Sequence, residues 1–153
     1  MKIKNYINGE FVNPILDNWI DNYNPSNGEI YSQIPNSSDI DLKNAFKAAK
    51  NAFPKWSETT LEKRSQILSK IAHLITKKLP ELAAAEAKDN GKPLELAKSI
   101  DIPRAAANFQ FFANAITQFA SETHDSVGLN AINFTLRQPI GVVGCISPWN
   151  LPL

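Results

Sequence analysis

Apolar residues recur along this chain in two periods, and the period changes twice. Near the start they come in short alternating runs. Tyr6-Ile7 and Phe11-Val12 flank Asn8-Gly9. Both residues of that dipeptide tolerate positive φ, so the spacing predicts a hairpin on a type I′ turn. Trp19 to Tyr23 and Ile30 to Ile34 also alternate and predict two more short strands around Asn24-Pro25-Ser26-Asn27-Gly28, a run of turn residues. From Ser38 the period lengthens to that of a helix. Leu42, Ala45, Phe46, Ala49, Ala52 and Phe53 share one face behind a Ser38 or Asp39 cap, and Pro54 is the expected stop.

A second helix is expected from about Thr60 to Lys78, with Leu61, Leu68, Ile71, Ala72, Ile75 and Leu79 on its apolar face. Thr60 followed by Lys63 is no capping box and leaves a simple hydroxyl cap. Pro80 opens a third helix where its missing N–H costs nothing, and Asn90-Gly91 supplies a left-handed stop. Asp101 and Pro103 start a fourth, with Ala105, Phe109, Phe112, Ile116 and Phe119 on one face. Past a loop at Ser126 to Asn130, the period returns to that of a strand. Ala131 to Gln138 alternates (Ile132, Phe134 and Leu136 on one face), and Ile140 to Ile146 is apolar on both faces. A strand apolar on both faces belongs in a parallel sheet covered by helices.

These elements predict an unfinished α/β domain, rich in helix, whose one buried strand has no obvious neighbour. After that strand, a turn between Pro148 and Pro152 presents Trp149 and Asn150. Ligands of parallel-sheet proteins bind at this edge, just past the carboxyl ends of strands. The sequence stops at Leu153, where a site should begin. The expectation is therefore the front portion of a longer enzyme.

Composition narrows the function classes. The 153 residues are 43% hydrophobic and 20% charged, ordinary for a globular protein. Sixteen Lys and Arg against fifteen Asp and Glu leave a formal charge of +1, with no basic excess to neutralise nucleic-acid phosphates. No apolar run approaches the ~20 residues of a membrane span. Met1 to Glu10 lacks a signal-peptide apolar core, so the expected location is cytoplasmic. The single cysteine, Cys145, excludes an intrachain disulfide. Inside an apolar strand it is expected to be a small buried hydrophobe rather than a reactive thiolate. His73 and His124 have no carboxylate or cysteine at ligand spacing, so no metal site is expected. Glu81 and Glu86 read as solvated helix charges. Arg104 lies in the first turn of a helix, where the dipole disfavours a cation, which hints at a specific partner.

Several of these segments together resemble the aldehyde dehydrogenase family. They are Ile7-Asn8-Gly9-Glu10, Asn24-Pro25-Ser26-Asn27-Gly28-Glu29, Ala48 to Phe53 with Trp56, Asp89-Asn90-Gly91-Lys92-Pro93, Pro139-Ile140-Gly141-Val142 and Ile146 to Pro152. Each is weak alone, but in this order and spacing they are specific, and they span essentially the whole chain. The resemblance implies the first part of a Rossmann-type cofactor domain (residues 1–123), the first strands of an oligomerisation arm (124–138), and a return strand with its Pro-Trp-Asn turn (139–153). It implies oxidation of an aldehyde to its acid with NAD, or NADP, in a homo-oligomer (dimer or tetramer). Asn150 matches the family asparagine whose amide holds the oxyanion, and Ile146, Ser147, Pro148 and Trp149 match the stretch lining the cofactor. Asp89 matches a position near a monovalent cation, although a solvated turn fits it equally well. The family's nucleophilic cysteine and general-base glutamate would lie beyond Leu153. Asp101-Ile102-Pro103-Arg104, Asn108-Phe109, Phe111-Phe112-Ala113 and Ile146 to Leu153 look most like the muconic semialdehyde branch (2-aminomuconic or 2-hydroxymuconic). The alternative is a non-catalytic module that associates with itself or with a full-length subunit through the strand at Ala131 to Gln138.

Overall fold

Three antiparallel hairpins frame a helical block in the computed structural model, which describes residues 1–153. β1 (Asn5–Ile7) pairs with β2 (Glu10–Val12), Asn5 opposite Val12. Asn8 and Gly9 have φ of 54° and 83°, the double left-handed geometry of a type I′ turn. β3 (Trp19–Tyr23) pairs with β4 (Ile30–Pro35), with an irregularity between Asn22 and Tyr23. The amino terminus runs beside β4. The Ile3 N–H donates to the Gln33 carbonyl at 2.8 Å, and the Gln33 N–H donates to the Met1 carbonyl at 2.9 Å.

α1 (Asp39–Ser57) starts at the N-cap Ser38. The buried Asp41 anchors this start. Its carboxylate accepts from the Ser38 N–H and hydroxyl, both at 2.8 Å, and from the Ile15 N–H at 3.0 Å. Chiefly through the Ser38 N–H, these donors hold the carboxyl below its usual range. Pro54 does not stop α1, which runs on to Ser57. Carbonyls exposed by that last turn are satisfied from outside the helix. The Thr59 hydroxyl donates to the Trp56 carbonyl at 2.6 Å, and the Arg64 guanidinium donates to the Ser57 carbonyl at 3.0 Å. α2 (Leu61–Lys77) has the simple cap expected, with the Lys63 N–H donating to the Thr60 hydroxyl at 3.2 Å.

α3 (Leu79–Asn90) carries Pro80 in its first turn and ends on left-handed Gly91 at φ 77°. The next helix begins earlier than the sequence pattern predicts. A short α4 (Leu94–Leu96) passes through a π-helical turn (Ala97–Asp101) into α5 (Ile102–Ala115). Pro103 explains the π turn. In a regular helix its ring would strike the carbonyl four residues back, and a wider turn relieves that clash. The Ile102 N–H accordingly donates to the carbonyl of Ala97, five residues back.

The core lies where α2, α3 and α5 meet around the π turn. Ile75, Ala83, Ala97, Ile102 and Ala106 form it, with Ile71, Leu79, Leu82 and Phe109 packed against them. α5 buries part of the face its pattern predicts and adds small residues beside it. Ala105 is buried and Phe109 packs against the core, joined by Ile102, Ala106 and Ala113, while Phe112 and, past the end of α5, Phe119 are exposed. Close helix contact there runs through alanine, with Phe109 packed against it. The apolar face of α1 is likewise open, with Leu42 and Phe46 exposed.

β5 (Thr123–Ser126) pairs with β6 (Ala131–Phe134), so His124 sits in a strand rather than a loop. β6 is shorter than the predicted Ala131 to Gln138. The largest correction concerns Ile140 to Ile146, which forms no strand. This run belongs to no ladder, and Ile140 and Ile146 are 89% and 101% exposed. A parallel strand needs flanking strands to take its N–H and C=O groups, and each of the six strands is already paired within its own hairpin. Cys145, in the same run, is exposed rather than buried.

At Gly91 an added Cβ would lie 2.9 Å from the Pro25 ring, on a backbone already at positive φ. Gly91→Ala is expected to destabilise the chain by about 1 kcal/mol or more. A denaturation midpoint equal to that of the parent chain would show that Pro25 gives way without cost.

Candidate functional site

Asn150, the residue expected to stabilise an oxyanion, lies in a turn on the surface. Ile146, Ser147 and Pro148 precede it in irregular, exposed chain, and Trp149, 85% exposed, shares its turn. None of these five lines a major cavity of the chain. The residues that follow them behave differently. Leu151 and Leu153 help close a cavity of about 220 Å³ against Glu86, Asp101, Arg104 and Asn108. Pro152 and Leu153 also border a larger one of about 550 Å³, with Met1, Ile3 and Leu82. The carboxyl-terminal turn is thus seated on α3 and α5, with Asn150 at the edge of the seat.

Beneath that seat is a charge cluster that the sequence pattern did not single out. Glu86 is a buried side chain of α3, not a solvated one. Lys92 reaches Glu86 at 3.1 Å and Asp101 at 2.8 Å. The three come from α3, the loop after it and the end of the π turn. Local geometry fixes Lys92 in place. It follows left-handed Gly91, and its N–H donates to the Asn90 side-chain oxygen at 2.9 Å. The hydrogen bond from Lys92 is the main reason that the Asp101 carboxyl is held below its usual range, and the nearby Arg104 adds to the effect. The Asp101 carboxylate in turn raises Lys92, against the opposing effect of burial. Glu86 stands among alanines (Ala83 to Ala85 and Ala87) on a helix that buries only one stripe. Its place on that stripe, three residues after Ala83, was the available signal.

Arg104 is exposed on the first turn of α5. It is Lys92 rather than Arg104 that makes the ion pairs to Asp101 and Glu86. Its guanidinium borders the small cavity and makes no ion pair of its own.

A second polar group joins β3, β4 and α3. The Tyr31 hydroxyl hydrogen-bonds to Asp89, and the Asn22 amide donates to Asp89 at 3.0 Å and to the Tyr31 oxygen at 2.9 Å. Lys88 lies 4.7 Å over the Tyr31 ring. Burial, then the Asp89 carboxylate, pushes the Tyr31 phenol up. Asp89 is therefore a tie between hairpin and helix. His73 stays exposed on α2, at the rim of a groove with Ile102 and Ala106. Glu81 is a surface charge, paired with Lys78 at 3.1 Å.

Residues 11–153 match the model of the aldehyde dehydrogenase family. The chain belongs to that family. Among its relatives is the 2-aminomuconic semialdehyde dehydrogenase of Homo sapiens, 44% identical over all of this chain and 31% of that protein. The 2-hydroxymuconic semialdehyde dehydrogenase of Pseudomonas sp. (strain CF600) is 39% identical over 99% of this chain and 32% of that protein. Among solved structures, an aldehyde dehydrogenase from Bacillus cereus superposes with a TM-score of 0.92 at 36% identity, over 99% of this chain and 31% of that one. Its NAD+ complex superposes at 0.77 and 35% identity, over 81% and 26%. This chain thus spans about a third of the length of the relatives it matches.

These structures establish the mixed helix-and-strand fold of aldehyde dehydrogenases for this chain. They do not turn residues 146–149 into a cofactor cradle. Those side chains are exposed and line none of the principal cavities, so within this chain alone they do not surround a nicotinamide dinucleotide.

A folded-state carboxyl below its usual range adds stability above the unfolded pKa of ~3.9, and that stability is lost as pH falls through the folded pKa. Asp101 is expected to titrate below the usual aspartate range in an NMR pH series. Lys92→Met should move it upward. An unchanged Asp101 titration in that variant would mean that Lys92 does not hold it.

Proposed function

We propose that this chain supplies the amino-terminal third of an aldehyde dehydrogenase that oxidises a muconic-type semialdehyde to its acid, with NAD or NADP as electron acceptor. In this reading residues 1–123 are the opening of the cofactor domain, 124–138 the first strands of an oligomerisation arm, and 139–153 the return strand and site turn. The observation that carries it is the family match over residues 11–153 together with the relatives' shared semialdehyde substrates. The unpaired run from Ile140 to Ile146 supports it too, since its backbone groups call for a sheet that this chain does not contain. A cytoplasmic location is part of the same proposal, and work as part of a homo-oligomer agrees with the exposed apolar residues of β6, Ile132 and Phe134. Those same residues favour the second reading, a non-catalytic module that pairs through β6.

Asn150 has the chemistry for one step. Its side-chain amide can donate an N–H to the oxygen that becomes negative when a nucleophile adds to an aldehyde carbonyl. A preset donor stabilises that charge more than it stabilises the neutral carbonyl. Arg104 suits the other end of the substrate. A semialdehyde keeps a carboxylate opposite its aldehyde, and a guanidinium can bind it through two parallel hydrogen bonds. Arg104 lines the cavity closed by Leu151 and Leu153, the residues just past Asn150.

The test is to express the complete reading frame and follow reduced nicotinamide formation with 2-aminomuconic or 2-hydroxymuconic semialdehyde. Turnover supports the enzyme reading. A folded, pure product that oxidises no aldehyde favours the pairing module. In the active enzyme, Asn150→Ala is expected to lower kcat by about 10²–10³-fold with little change in cofactor affinity. Parallel loss of cofactor binding would make Asn150 structural. Arg104→Ala should raise KM for the semialdehyde by about 10–100-fold and leave a neutral aliphatic aldehyde unaffected. Equal effects on both substrates would remove Arg104 from carboxylate recognition.

A further inference from the structure

Three charged groups face Arg104 across one small cavity and its floor. Glu86 and Asp101 line the cavity with it, and Lys92 lies between the two carboxylates. Asp101 and Arg104 are three residues apart on continuous helix, which places their side chains on neighbouring positions. An arginine so close to a buried carboxylate would ordinarily turn toward it and form a paired fork. Instead, one ammonium that enters from the loop after α3 bridges both carboxylates. Left-handed Gly91 and the Asn90 side chain hold that loop. Glu86, Asp101 and Lys92 together carry one net negative charge, and the guanidinium that balances it lines the cavity without an ion pair of its own.

We propose that Lys92 is a positioning residue for Arg104: by occupying both Glu86 and Asp101, it keeps the guanidinium available to the carboxylate of the substrate. The inference rests on the semialdehyde reading above. Lysine suits the task because its ammonium is a compact charge with three donors, able to serve two carboxylates at once from a confined place. Without it, Glu86 and Asp101 would be left as two unpaired acids, and Arg104 is the cation on the same cavity wall. The guanidinium would fold inward, and the substrate carboxylate would meet an occupied, net negative pocket.

The experiment uses the complete enzyme and two substrates, 2-hydroxymuconic semialdehyde and a neutral aliphatic aldehyde. Lys92→Met is expected to raise KM for the semialdehyde about 10-fold or more, with kcat and KM for the neutral aldehyde unchanged. Adding Glu86→Gln and Asp101→Asn to Lys92→Met removes the competing charges and should restore the semialdehyde KM. If Lys92→Met does not fold, Lys92→Gln carries the same comparison, since it keeps hydrogen-bonding capacity but not charge. A rise in KM for both aldehydes, or a semialdehyde defect that the charge-removing substitutions fail to rescue, would overturn the proposal. Arg104→Ala separates the two levels. If it leaves the semialdehyde KM unchanged, the substrate reading falls and takes this role with it. If it raises that KM while Lys92→Met does not, only the role of Lys92 falls.

Discussion

Close contact between helices through alanine is the constraint on which the rest of this chain depends. Ala83, Ala97 and Ala106 meet with Ile102 and Ile75 at the junction of α2, α3 and the π turn. Only 12 of 153 residues are buried, so this junction carries most of what tertiary packing the helical block has. Small side chains let the backbones approach. The approach is what brings Glu86 on α3 against the end of the π turn at Asp101. Two carboxylates out of water would be costly there without a cation, since removing one partner of a buried pair can cost ~3–5 kcal/mol. Lys92 is that cation, and the alanine contact and the ion cluster form one unit.

The remaining chain is organised around satisfied backbone rather than around a large core. Each of the six strands is closed into a hairpin, and α1 is tied at its start by its own Asp41 to the Ile15 N–H and at its end by the Arg64 side chain. Residues 139–153 are the exception. They run irregular and unpaired until Leu151 and Leu153 rest on α3 and α5. Buried backbone groups must find partners, so this segment can be buried only when other strands are supplied to it. That is the physical content of a chain spanning about a third of its relatives.

Features governed by neighbouring residues were legible in the sequence. Asn8-Gly9, Gly91 and Thr60 each act within four residues, and each has the geometry that its chemistry implies. The family was legible as well, because turn residues and short motifs recur in order along the chain. What could not be read depends on distant contacts. Pro54 fails to end α1 because Arg64 and Thr59 take up the last carbonyls. Phe112 looked like core because it is large, yet it stays exposed while Phe109 packs against the alanine contact. Ile140 to Ile146 has a strand's composition without a strand's partners. Glu86 looked solvated because charge suggests solvent, and only the fold reveals the lysine six residues later that neutralises it. Asn150 could be named from its motif, but its surroundings could not.

Pro103 connects the two halves of this account. Placed inside a helix, it forces the turn before it to widen, and the Ile102 N–H reaches back five residues instead of four. A π turn inserts one residue relative to a regular helix and rotates everything before it against everything after. Asp101 ends the π turn, and Arg104 begins the regular α5. The same proline that looks like a simple helix starter in sequence therefore sets the angle between the acid that Lys92 holds and the guanidinium next to it. Replacing the π turn by regular helix would turn Asp101 away from Lys92 by roughly 100°. The ion cluster would lose its third member, and the contact through Ala97 would be misaligned. A proline costs an α-helix ~3 kcal/mol in its interior. Here the wider turn removes the clash, and the alanine contact and the Lys92 ion pairs hold that turn in place.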